Sequence, residues 1–101
     1  MPEMDPATLV QEVMRPLRHG AQPAVAAGLR ALEAEAIDAL LALRAAEDFG
    51  EREKRRVVLA ATLRARKDAI VRACGAAGRR EMEADLAVVF HVLAAAAMAF
   101  L

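Results

Sequence analysis

The segment that most constrains this chain is its last sixteen residues, LAVVFHVLAAAAMAFL, of which fifteen are apolar. A helix of this length spans roughly 24 Å, which is shorter than the roughly 30 Å hydrocarbon core of a bilayer. His91 would lie near its middle, and Asp85 precedes it. Membrane insertion is therefore disfavoured, and the segment must be covered by the rest of the chain or by another molecule.

The composition favours helices throughout. Alanine, the best helix former, occupies 26 of the 101 positions. The chain has three aromatic residues, and β-branched residues are scarce, so a sheet is disfavoured. We therefore expect an all-α protein.

Glycine and proline divide the chain into four segments. Asp5 followed by Pro6 is typical of a helix start, and glycine usually follows the last residue of a helix, as in the pair Phe49-Gly50. We expect a single helical domain over residues 1–101. The approximate helices are 6–18, 23–48, 51–74 and 79–101.

The second and third segments carry apolar residues at helical spacing. In the second segment these are Leu29, Leu32, Ala36, Leu40 and Leu43; in the third they are Leu59, Leu63, Ile70 and Cys74. A short connection makes two helices antiparallel neighbours. The sequence thus predicts a small up-and-down helical bundle. It has a long antiparallel hairpin of helices 2 and 3, a short N-terminal helix and an apolar C-terminal helix.

With Gly50 as the turn of this hairpin, the numbers of facing residues sum to about 100. This register predicts Glu47 opposite Arg52 and Arg56, and Glu33 opposite Arg66 and Lys67. Opposite charges would then meet along the edge of the hairpin. The alternative is one unbroken helix through Gly50, which costs about 1 kcal/mol relative to alanine.

The C-terminal helix has two apolar faces. The main stripe, expected in the core, comprises Met82, Leu86, Val89, Phe90, Leu93, Ala97 and Phe100. A second face of small residues permits another backbone to approach closely. We expect the partner or oligomer interface at Ala87, His91, Ala94, Ala95 and Met98.

Charge is unevenly distributed, although the net charge is zero. Residues 51–80 carry ten Lys/Arg and three Asp/Glu, a net charge of +7, between two acidic flanks. Candidate contacts to nucleic acid are Arg55, Arg56, Arg64, Arg79 and Arg80. These residues spread around the helix and no aromatic residue is interleaved to stack on bases, which favours a solvated helix with its own ion pairs.

Residues with reactive side chains form no catalytic or metal-binding pattern. His91 has no Glu or His partner at helical spacing, which favours a core or interface histidine, and Cys74 has no CxxC partner, which favours a small buried apolar residue. Phosphate-binding glycine loops, HExxH, GxSxG and Cys/His clusters are absent from the sequence. We therefore expect no enzyme activity, no metal and no cofactor.

The function that these patterns favour is a non-catalytic helical protein–protein interaction module, such as a homo-oligomeric scaffold, an adaptor or a chaperone-like protein. Its partner would be itself, as a dimer or higher homo-oligomer, or another helical protein. The alternatives are an oligomeric nucleic-acid accessory protein that uses the basic helix, and a membrane-surface protein anchored by its C-terminal helix. The acidic N-terminus lacks a signal pattern and there is one cysteine, which predicts a cytoplasmic location.

Overall fold

The computed structural model describes residues 5–99, except for the side chain of Ala77. Within this range there are four α-helices: α1 Pro6–Arg18, α2 Pro23–Ala45, α3 Phe49–Ala73 and α4 Ala76–Ala99. The most extensive packing joins α2 to α3; α1 packs on α2, and α4 packs on α3 and α1. Helices are the only regular elements of the described chain, so the predicted all-α bundle is confirmed.

The connection between α2 and α3 differs from the prediction. Gly50 was expected to end the hairpin's first helix, but it lies in the first turn of α3. The turn consists of residues 46–48, and α3 begins early because the Asp48 carboxylate accepts a hydrogen bond from the Glu51 backbone N–H at 2.8 Å. The Asp48 side chain satisfies one of the backbone N–H groups that the first turn of a helix leaves without a partner, which a glycine has no side chain to do.

The other helix limits follow from local chemistry in the same way. Asp5 caps α1 as predicted, accepting a hydrogen bond from the Thr8 backbone N–H at 3.3 Å. Helix α4 begins at Ala76, three residues earlier than predicted. The end predicted for it, at residues 100 and 101, lies outside the described residues.

The register of the hairpin is close to the predicted one. Gly28 faces Ile70, and Glu35 pairs with Arg66, so rising numbers on α2 meet falling numbers on α3 and the helices are antiparallel. Each pair of numbers sums to nearly 100, as expected.

The ion pairs predicted from that register are wrong. Glu33 pairs with Arg18 of α1 at 3.0 Å, and Arg56 pairs with Glu53 of its own helix at 2.9 Å. Glu33 and Glu35 are two positions apart, which is more than half a helical turn, so only Glu35 turns toward Arg66 of α3.

The core is apolar and draws on all four helices. Val10, Met14 and Leu17 come from α1, and Leu29, Leu32, Ala36, Leu40 and Leu43 come from α2. Leu59, Leu63 and Ile70 come from α3, and Leu86, Val89, Leu93 and Ala97 come from α4. No polar or charged residue in the described chain is buried, so no desolvated polar group opposes the hydrophobic stabilisation.

Gly28 permits the closest approach between α2 and α3. A Cβ atom added there would lie 2.9 Å from Ile70 Cγ1. Ile70 is 1% exposed and β-branched, so it has little room to move away.

We expect Gly28→Ala to destabilise the protein although alanine is the better helix former. The propensity gain of about 1 kcal/mol is outweighed by overpacking, which typically costs 1–3 kcal/mol. Gly78→Ala is the matched control, because Gly78 is in α4 with no atom within 4 Å of an added Cβ. That change should stabilise by roughly 0.5–1 kcal/mol. Urea unfolding followed by circular dichroism measures both, and equal stabilisation by the two changes would contradict the close packing.

The ion pair between α2 and α3 should make stability weakly dependent on pH. Hydrogen bonds from Arg66, one of them 2.9 Å from Nε to Oε2, hold the pKa of the Glu35 carboxyl below its ordinary value. A lowered carboxyl pKa stabilises the folded state above the unfolded-state pKa, and this is lost as pH falls through the folded-state pKa. Both side chains are more than a third exposed, so the contribution is small.

We therefore expect Glu35→Gln to lower the urea midpoint slightly at about pH 7 and to have a smaller effect at lower pH, as the pH falls through the lowered folded-state pKa of the carboxyl. Glu47→Gln is the control, because Glu47 is exposed and forms no ion pair with any described residue. A Glu35→Gln effect that persists unchanged at the lower pH would show that packing, not charge, is responsible.

Candidate interaction surface

Helix α4 has a buried side and an exposed apolar side. Its inward residues, Leu86, Val89, Leu93 and Ala97, are at most 1% exposed. The opposite side is here named the outer stripe. It consists of Ala84, Ala87, Val88, His91, Ala94, Ala95 and Met98, all exposed. These positions recur at intervals of three and four residues, so they share one face over four helical turns.

The five residues expected at an interface all lie on the outer stripe. Ala87, His91, Ala94, Ala95 and Met98 are exposed, and the structure places them along one side of α4. Val88 was not among the residues predicted from the sequence, although it is the most exposed large apolar side chain of the stripe at 64%. The heptad spacing 84, 88, 91, 95, 98 would have identified it.

The outer stripe has an energetic reason to be covered. Val88 and Met98 are each more than half exposed, and full burial of such a side chain contributes about 1.5–3 kcal/mol. The alanines between them allow another helix to approach closely, since interaxial distances depend on the side chains at the contact. The outer stripe therefore combines exposed apolar area with room for close approach.

His91 and Cys74 form no chemical site. His91 is exposed, which excludes the core position considered from sequence, and its side chain forms no hydrogen bond or ion pair with another residue of the range 5–99. Cys74 caps the end of α3 and packs half-buried against the core. No group of three or more His, Cys, Asp or Glu in the described part of the chain could hold a metal ion.

A cleft between α3 and α4 lies beside the outer stripe. Its volume is about 250 Å³, and it is here named the basic cleft. It is lined by Leu59, Ala60, Leu63, Phe90 and Ala94, with Arg56, Arg64 and Lys67. Ala94 belongs to both the cleft and the outer stripe, so the two surfaces are continuous. Sequence periodicity gave no signal for this cleft, because it depends on how α3 and α4 align.

The arginines considered for nucleic-acid contact do not share one face. Arg55 pairs with Glu51 at 2.9 Å, and Arg64 lies nine residues further, on the opposite side of α3. Arg56 and Arg64 both line the basic cleft, whereas Arg79 lines a different cleft. Arg80 is exposed in the first part of α4. The structure therefore brings together two of the five.

The described part of α4 includes one segment, Gly78–Ala99, that is long and apolar enough to cross a membrane by length and composition alone. Of its most apolar window, 22% is buried in the protein. The earlier start of α4 lengthens the helix but not its apolar run, because the turns that precede Leu86 carry Arg79, Arg80 and Asp85. The expectation that membrane insertion is disfavoured stays a prediction.

Comparisons with known proteins give no relative. No known protein family matches the chain, and no significant match is found among curated proteins or solved structures. The interpretation of the surface therefore depends on the geometry of α3 and α4.

Proposed function

We propose that this protein is a non-catalytic helical interaction module in which the outer stripe of α4 is covered by the same stripe of a second copy. The observation that carries the proposal is the exposure of an apolar face over four turns of one helix. Exposed apolar patches of this kind mark interaction sites on soluble proteins. A chain of 101 residues buries only part of its apolar surface on folding, and contact with a second copy would bury more of it.

The spacing of large and small residues supports an antiparallel pair. His91 is seven residues from both Ala84 and Met98. Two copies that cross in opposite directions at His91 bring Met98 opposite Ala84, and Val88 opposite Ala94. A large side chain then faces a small one at the levels of Met98 and Val88, which gives interdigitated packing on either side of the level where the two His91 residues meet. A parallel pair would place Val88 against Val88 and leave the alanines apart.

Ala95→Glu should convert the assembly to a monomer. The change puts a charge in the outer stripe on a residue that does not line the basic cleft, and an unpaired buried charge opposes association. The measurement is the molar mass in solution by light scattering with refractive-index detection, because the chain has no Trp or Tyr. We expect the native chain to exceed the 10.8 kDa of one copy, and the variant to match it.

Ala27→Glu is the control, since Ala27 is an exposed alanine in α2, away from both surfaces. It should leave the mass of the assembly unchanged. A native chain that is monomeric at every concentration would overturn the proposal.

A membrane surface is the second candidate, and the length and composition of Gly78–Ala99 favour it. Against it, the outer stripe is mostly alanine, whereas interfacial helices insert Trp, Phe and Leu. Flotation with neutral and anionic vesicles distinguishes binding to a membrane surface from self-association. Co-flotation of a chain that is monomeric in buffer would favour the membrane. The nucleic-acid alternative has less support, because its arginines lie on different faces.

A further inference from the structure

The basic cleft has an apolar floor that is open to a partner. Leu59 and Leu63 are 2% and 5% exposed, and Phe90 is half-buried beside them. Ala60 and Ala94 form small walls, one from each helix. The cleft therefore offers apolar contact at its base with little steric obstruction.

Its rim is cationic. Arg56, Arg64 and Lys67 line the cleft, and none of the described residues that line it is Asp or Glu. Arg64 and Lys67 form no ion pair with any described residue, and Arg56 pairs with Glu53. The adjoining cleft differs, because there the cations are accompanied by Asp68 and Glu83.

The size of the cleft points to side chains of a partner, not to a whole small molecule. Its volume of about 250 Å³ lies below the roughly 300–1,000 Å³ of small-molecule sites. Apolar contact also continues beyond it on α3, where Val57 is 59% exposed and lies at helical spacing from Ala60 and Arg64. An extended apolar groove with charged edges fits an amphipathic helix.

We propose that the basic cleft binds an amphipathic acidic helix of another protein. Its apolar residues lie on Leu59, Leu63 and Phe90, and its Asp or Glu residues pair with Arg64 and Lys67. This inference goes beyond the self-association of α4 and concerns a site that shares only Ala94 with the outer stripe. A different protein is the better source of acids, because five glutamates of this chain already pair with its own arginines.

The test uses the full chain and two fluorescent peptides. One is a designed helix with leucines at i, i+3, i+4 and i+7 flanked by glutamates, and the other has lysine at each glutamate position. Fluorescence anisotropy measures binding. We expect the acidic peptide to bind at least about tenfold more tightly than the basic one, with affinity falling as salt rises.

Two variants locate the binding. The double change Arg64→Glu and Lys67→Glu should weaken the binding of the acidic peptide by at least about tenfold. The control, Arg30→Glu with Arg44→Glu, changes exposed arginines of α2 by the same charge and should have no effect. Ala60→Trp, which fills the cleft and leaves its cations in place, should also block binding. Circular dichroism confirms that each variant is folded.

Equal affinity for both peptides, or binding unaffected by the cleft variants, would overturn the proposal. Saturable binding of decanoate with no binding of the acidic peptide would also overturn it, and would assign the cleft to a small anionic amphiphile. Light scattering keeps this result separate from self-association. The double charge reversal should leave the molar mass unchanged, whereas Ala95→Glu should change the mass and retain peptide binding.

Discussion

The apolar contact between α2 and α3 is what the rest of the bundle depends on. Five residues of α2 are fully buried in the core, and α3 packs along α2 more extensively than any other pair of helices does. Helices α1 and α4 then add to this hairpin. Because α4 packs mainly on α3 and α1, one of its sides is buried and the other is left to solvent. The outer stripe is thus a direct result of how few neighbours a small bundle can supply.

Helical spacing was enough to predict the class of fold, the direction of the hairpin and the face of α4 that is exposed. It failed at the hairpin turn, whose position depends on a local hydrogen bond, and at the ion pairs, whose partners depend on the rotation of each helix. The Asp48 cap moved the turn away from Gly50, and the rotation of α2 turned Glu35 instead of Glu33 toward Arg66. The basic cleft was not predictable, because its lining residues come from both α3 and α4. The spacing of residues within one helix does not indicate how the two helices align.

The two surfaces on this side of the bundle depend on different physical forces. The outer stripe is almost uncharged, so contacts there depend on apolar burial, which strengthens in salts such as sulfate. The proposed partner of the basic cleft would add ionic contacts at an exposed rim, which salt would screen over a Debye length of about 8 Å at physiological ionic strength. An interaction module with both surfaces would respond in opposite directions to a change in ionic strength.

The close approach of α2 and α3 at Gly28 also helps to explain why these two helices have one alignment. The core of the described chain has no buried polar group to fix how far α2 slides along α3. A slide of about one turn would bring Ala24 or Leu32 against Ile70, and either side chain would occupy the space that Gly28 leaves open. The absence of a Cβ atom at Gly28 therefore favours the native alignment of α2 and α3 over alignments shifted by one helical turn.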